Sequence, residues 1–192
     1  MSALILGLVL FLGIHSVRML AGDWRTVQIA RLGEKAWKGM YTVVSLLGFG
    51  LIIWGYGLAR AEPVVLWTPP VWTRHMAALL TLPMFILLVA TYVPGTRIKA
   101  AVGHPMVLSV KLWALAHLLA NGNLADLVLF GSFLVWAVTD FISFRRRDRA
   151  LGATYPALGF SRDALAVVVG LVAWAAFARF AHQWLIGVRP FA

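Results

Sequence analysis

Two of the five histidines in this chain, His15 and His117, fall inside long apolar stretches. There is no cysteine, and almost no acid in those stretches, to compete with them. An ionisable side chain at hydrocarbon depth loses hydration worth several kcal/mol, so it marks a functional position by default. Neutral imidazole is also the commonest protein ligand for metals. His15 and His117 are therefore the candidate metal ligands. His117 shares a helical stripe with Trp113 and Asn121, each four residues away, which sets an aromatic wall and an amide beside any ligand bound there. Arg18 follows His15 by one turn on the same face and is placed to pair with an acidic group of a cofactor.

The remaining histidines read differently. His104 is thirteen residues from His117, about 220° away around one helix, so the two cannot easily serve one cofactor. Lys111, seven residues from His104, returns nearly to its azimuth, so these two share a face distinct from that of His117. Gly103-His104-Pro105 has the pattern of a helix start, with His104 near the N-cap and Pro105 in the first turn, where a missing N–H costs nothing. His104 is accordingly the second choice as a metal ligand. His75 and His182 fall at the ends of apolar runs, where histidines are ordinary.

The elements that must position these residues follow from composition. A mean hydropathy of +0.85, with 61% hydrophobic and 12% charged residues among 192, leaves too little polar surface for a water-soluble domain. The chain reads as a polytopic membrane protein. Six stretches approach the length that crosses about 30 Å of hydrocarbon: Ala3 to Leu20, Gly39 to Leu58, Thr73 to Val93, Pro105 to Ala120, Leu124 to Phe141 and Ala164 to Leu185. The fourth is the shortest, carries Lys111 and ends at the turn signal Asn121-Gly122-Asn123. The predicted fold is an all-α transmembrane bundle of about six helices in a single domain over residues 1–192.

Charge placement sets orientation. The net charge of +10 does not point to nucleic acid, because Lys and Arg cluster in short connections, where insertion topology and anionic lipid account for them. Thirteen of the seventeen basic residues belong to the first, third and fifth connections and their flanks, which puts both termini outside the cytoplasm. Trp54, Trp67, Trp72 and Trp184 then fall near the outer interface, and Trp24 and Trp37 near the inner one. The first connection, Asp23 to Lys38, alternates apolar and basic residues and is too polar to span, so part of it lies along the cytoplasmic surface.

Absences narrow the chemistry. Without cysteine there is no disulfide, thiolate nucleophile, iron–sulfur cluster or thiolate-ligated haem. Asp126, Asp140 and Asp163, the acids near the apolar runs, lie at their ends, so no carboxylate relay of the kind ion pumps use is visible. Counting inward from the outer face, His15 is roughly 18 Å deep and His117 only about 6 Å. Such an offset is awkward for a small ion and tolerable for a tilted haem held by two imidazoles.

The segments LFLGIHSVRML, LGEKAWKGMYTVVSLLGFGLIIWGYG, GHPMVLSVKLWALAHLLANG and FGSFLVWAVTDFISFRRR together resemble the NnrU family over nearly the whole chain. The resemblance implies a bacterial inner-membrane protein related to zeta-carotene isomerase, with haem b bound through two histidines whose positions match His15 and His117. It also implies an association with nitrite and nitric oxide reduction, either as a haem-dependent enzyme or as a non-catalytic accessory of a nitric oxide reductase. Cis–trans isomerisation of an apolar polyene is equally compatible. The isomerase carries a cysteine three residues before its second haem histidine, where this chain has Ala114. The HP motif further resembles an element of membrane methyltransferases that use S-adenosylmethionine, although Gly103 replaces their arginine and no paired glutamates follow near the C-terminus. The expected partners are thus the lipid bilayer, haem, and denitrification enzymes or an apolar substrate. His15 and His117 are the expected axial ligands, with Trp113, Asn121 and Arg18 around the cofactor.

Overall fold

The computed structural model describes residues 1–190, and among these the chain is all-α with no β-strand. The helices are α1 (Ser2–Leu20), α2 (Gly22–Leu32), α3 (Glu34–Ala61), α4 (Trp72–Tyr92), α5 (Arg97–Val102), α6 (Pro105–Ala120), α7 (Leu124–Leu151) and α8 (Phe160–Ala176). A π-helical turn, Phe177–Ala181, joins α8 to the short α9, His182–Ile186. The run expected as one helix to Leu185 is thus continuous, with a π-helical turn inside it before His182.

Five segments are long and apolar enough to cross a membrane: α1, α3, α4, α7 and the run Phe160–Ile186. They fit a multi-pass membrane protein. The fourth apolar stretch of the sequence is α6, whose 16 residues reach roughly 24 Å, short of the hydrocarbon thickness. Burial agrees with a lipid environment. Leu46 (64% exposed), Val135 (66%) and Val172 (64%) point away from the protein, an arrangement that lipid tails accept and water does not.

The chain divides into two compact units, Met1–Trp67 with Asn123–Trp136, and Thr68–Gly122 with the residues from Ala137 onward. In the first, α1 and α3 run antiparallel along a seam of glycines. A Cβ on Gly7 would lie 2.6 Å from the backbone nitrogen of Ile52, and one on Gly48 2.7 Å from that of Phe11. At Gly55 an added Cβ would collide with the backbone nitrogen of Leu4. In hydrocarbon no hydrophobic effect draws helices together, so backbone approach through small residues supplies the contact instead. The first half of α7 joins this unit. Asn123 caps it, its backbone N–H and side-chain amide donating to Asp126 Oδ2 at 3.3 and 3.0 Å. The Tyr56 hydroxyl donates to the other oxygen of Asp126. Asp126 is buried, and these three donors satisfy its carboxylate.

The second unit contains α4, α5, α6, the rest of α7, and α8 onward. Gly170 of α8 faces Ile86 of α4, where a Cβ would come within 2.7 Å of its Cα. The indole N–H of Trp174 donates to the Thr81 hydroxyl at 3.1 Å across the same pair. Thr96 caps α5 by accepting from the Lys99 N–H at 3.0 Å, and Asp163 of α8 accepts from the Ile98 N–H at 3.2 Å. His104 occupies the N-cap of α6 with Pro105 in its first turn, and α6 stops at Asn121, both as the sequence predicts.

Candidate functional site

His15 sits in an aromatic enclosure built by three helices of the first unit. Its ring stacks on Phe11 of α1 at 4.2 Å and 30°, with Tyr41 of α3 tilted at 5.1 Å and Trp136 of α7 edge-on at 6.2 Å. Phe133 closes on Phe11 from α7 at 5.8 Å. The glycine seam explains why Tyr41 arrives there. Gly55 meets Leu4 and Gly48 meets Phe11, so the next turn of the same antiparallel register brings His15 opposite the stretch from Tyr41 to Ser45. Nδ1 of His15 lies 2.6 Å from the Phe11 carbonyl oxygen. A carbonyl can only accept, so Nδ1 carries the proton and Nε2 of the neutral ring is the lone-pair nitrogen. One turn along that face of α3, the Ser45 hydroxyl oxygen is buried without a hydrogen-bond partner among the described residues.

His117, in the second unit, repeats the arrangement. Its Nδ1 donates to the Trp113 carbonyl four residues earlier at 2.8 Å, so that in the neutral ring Nε2 is again the lone-pair nitrogen. The Trp113 ring lies 5.4 Å from the imidazole, and the Asn121 amide donates to the His117 carbonyl at 2.9 Å. Trp113, His117 and Asn121 thus form the single stripe that their spacing predicts. Asn121 spends its N–H on the backbone at the helix end. Ala114 is fully buried in the same helix. Arg18 is exposed at the last turn of α1 and forms no ion pair among the described residues.

His104 has a different set of partners. Its Nε2 lies 2.8 Å from Asp148 Oδ2, and the Tyr155 hydroxyl donates to Asp148 Oδ1 at 3.1 Å while lying 3.2 Å from the same Nε2. Arg145 approaches Asp148 at 3.9 Å. Phe144 stacks on the imidazole at 4.3 Å, and Phe141 stands edge-on at 6.5 Å. Lys111 places its ammonium 4.6 Å from the Phe141 ring, so His104 and Lys111 address one aromatic side chain, in line with their sevenfold spacing. Gly103 closes the cluster with φ +74, and a Cβ there would press on Arg145 at 3.0 Å. Burial, and then the hydrogen bond and charge of Asp148, raise the Tyr155 phenol above its ordinary value. His75 is exposed, and His182 donates from Nδ1 to the Val188 carbonyl at 2.7 Å.

The NnrU family model, described as NnrU protein, matches residues 3–190. The chain belongs to the NnrU family. No curated protein and no solved structure gives a match. Against the family segments, the structure adds residues that the sequence alone did not single out. Tyr41, Phe133 and Trp136 enclose the first histidine of this NnrU-family chain, and Asp148 and Tyr155 hold His104. Their partners lie between 26 and 121 residues away in sequence, and nothing in local spacing announces such pairings. The three acids noted at the ends of the apolar runs are all buried; Asp126 and Asp163 serve as helix-terminus acceptors, whereas Asp140 lies inside α7, which continues to Leu151. Trp37, expected at the interface, is 4% exposed beneath α2.

Proposed function

We propose that this NnrU-family protein binds haem b within the membrane, that His15 and His117 would hold its iron, and that it acts in nitrite or nitric oxide reduction. The observation that carries the reading is the matched anchoring of the two rings. Each Nδ1–H is committed to a carbonyl one turn back on its own helix. Such a bond fixes the tautomer, orients the ring and raises the basicity of Nε2, the usual outer support of a metal-binding histidine. The donor set suits iron in a porphyrin, because it offers two neutral imidazoles and no thiolate. The Ser45 hydroxyl adds a buried polar atom near His15 that a bound group would satisfy.

When bound, haem would supply one-electron redox or Lewis-acid chemistry. The contribution of the chain is positional. Phe11, Tyr41 and Trp136 exclude water around His15 and hold its ring. Trp113 orients His117 through both its carbonyl and its ring. Arg18, on the face of His15 and without an ion pair among the described residues, is assigned to a haem carboxylate. Residence in the bacterial inner membrane with both termini outside, which requires the short α6 to cross a locally thinned bilayer, belongs to the same proposal. A cytoplasmic signal from a C-terminal reporter fusion would reverse that orientation.

Purified protein from haem-replete cells tests the cofactor. The expected result is a low-spin Soret and α/β spectrum on reduction. His15→Ala and His117→Ala should each cause haem loss or conversion to a high-spin form, while His75→Ala leaves the spectrum unchanged. A wild-type preparation with no Soret band, or a normal spectrum in the double variant, refutes the proposal.

A further inference from the structure

The link between the two paired crossing helices α1 and α3 is itself a helix, and its free face has an unusual make-up. α2 packs on α3 with Trp37 beneath it. Trp24 meets Trp37 edge-on at 5.9 Å, and the Arg25 guanidinium lies 5.9 Å over the same ring. Facing away from the protein are Leu20 (79% exposed), Trp24 (52%), Val27 (52%) and Leu32 (53%). Five basic residues, Arg18, Arg25, Arg31, Lys35 and Lys38, flank that face, against two acids, Asp23 and Glu34. Glu34 is taken by Lys38 at 2.7 Å, while Arg18, Arg31 and Lys35 form no ion pair among the described residues.

We propose that α2 is a docking surface for anionic phospholipid, with Trp24, Val27 and Leu32 entering the headgroup–acyl boundary and Arg31 and Lys35 holding lipid phosphates. The inference rests on α1 and α3 crossing a bilayer, not on haem. Two antiparallel crossing helices packed along their length bring their connected ends to one bilayer face, which sets the short helix between them at that face. A helix with exposed aromatic and aliphatic side chains beside unpaired cations is the composition that lies in the interface plane. The three-charge excess selects anionic over zwitterionic headgroups. Arg25, held over Trp37, fixes the orientation of the helix instead of reaching outward.

The experiment uses the full chain in nanodiscs of phosphatidylcholine and phosphatidylglycerol, in which one lipid or the other carries bromine on its acyl chains. Quenching at Trp24 is read as the difference between the wild type and Trp24→Phe. Because each basic residue near an anionic surface contributes roughly a fivefold factor before screening, phosphatidylglycerol should be preferred at Trp24 by about threefold or more. Arg31→Gln combined with Lys35→Gln should bring the preference close to parity. Arg146→Gln combined with Arg149→Gln, which removes the same charge elsewhere, should leave it intact. Both variants alter exposed or half-exposed side chains, and unchanged helical circular dichroism identifies folded samples. Parity in the wild type, or an equal loss in the control variant, overturns the proposal. So does shielding of Trp24 from both brominated lipids, which would put a protein face there instead.

Discussion

His15 and His104 are packed almost identically and held in opposite ways. Each ring stacks on a phenylalanine at close to the same separation and tilt, 4.2 Å and 30° for His15 on Phe11, 4.3 Å and 27° for His104 on Phe144. The partner atom makes the difference. His15 gives its Nδ1 proton to a neutral carbonyl of its own helix, which leaves the basic nitrogen facing the aromatic enclosure. His104 turns its Nε2 to a carboxylate and a phenol from distant segments, which ties the start of α6 to the end of α7 and to the connection beyond it. The first arrangement suits the ligand role proposed for His15, and the second makes a brace. The same amino acid in the same apolar packing is given its task by one hydrogen-bonding partner.

The comparison breaks first at the backbone seams of the two units. Gly55→Val places branched atoms where α3 touches the Leu4 backbone, so α1 and α3 must separate and the enclosure of His15 opens. The expected loss lies near the upper end of the overpacking range, about 3 kcal/mol, measured as thermal or denaturant unfolding in detergent. Gly170→Val, where α8 meets the Ile86 backbone, should destabilise the second unit comparably and leave the surroundings of His15 unaltered by Trp136 fluorescence.

A smaller change separates brace from ligand. Asp148→Ala removes the acceptor shared by His104 and Tyr155 and should cost about 2 kcal/mol, as expected for hydrogen bonds to a charged group. Any haem spectrum of the protein should persist in that variant. If Asp148→Ala abolished the spectrum while the fold survived, His104 would be part of the cofactor site, and the contrast with His15 would fail. Tyr155→Phe, which deletes one donor to Asp148, should cost about 1 kcal/mol.

The smallest effect is a pH dependence. The phenol of Tyr155 titrates above its usual value in the folded protein, through burial first and then the hydrogen bond and charge of Asp148. The protonated form is therefore the one the fold favours. Its contribution is fully present below the ordinary phenol range and is lost only as pH rises through the raised folded value. Unfolding midpoints should show an alkaline decline above about pH 10 that Tyr155→Phe reduces, with no pH dependence from this residue around neutrality.

Local reading went furthest where the cause was local. The apolar runs announced the crossing helices because a lipid-exposed backbone must satisfy itself within one helix. The Gly103-His104-Pro105 start, the Asn121 stop and the Trp113–His117–Asn121 stripe needed only the 3.6-residue period, and all three stand in the structure as expected. α6 could be seen as short from its own residues. The π-helical turn before His182 could not, since no glycine, proline or cap signal marks Phe177–Ala181.

The sequence by itself thus determined an all-α membrane protein of the NnrU family and named two histidines within apolar helices. It could not assign their neighbours. Tyr41 and Trp136 reach His15 because glycines at Gly7, Gly48 and Gly55 let two backbones touch in one register. Asp148 and Tyr155 reach His104 because α7 extends well past its apolar half. The carbonyl that takes the Nδ1 proton of His15 and of His117 lies one turn back on the same helix and is a local partner. The carboxylate and phenol at His104 are not local, because side-chain spacing along the chain carries no record of which distant group folding brings into hydrogen-bonding range.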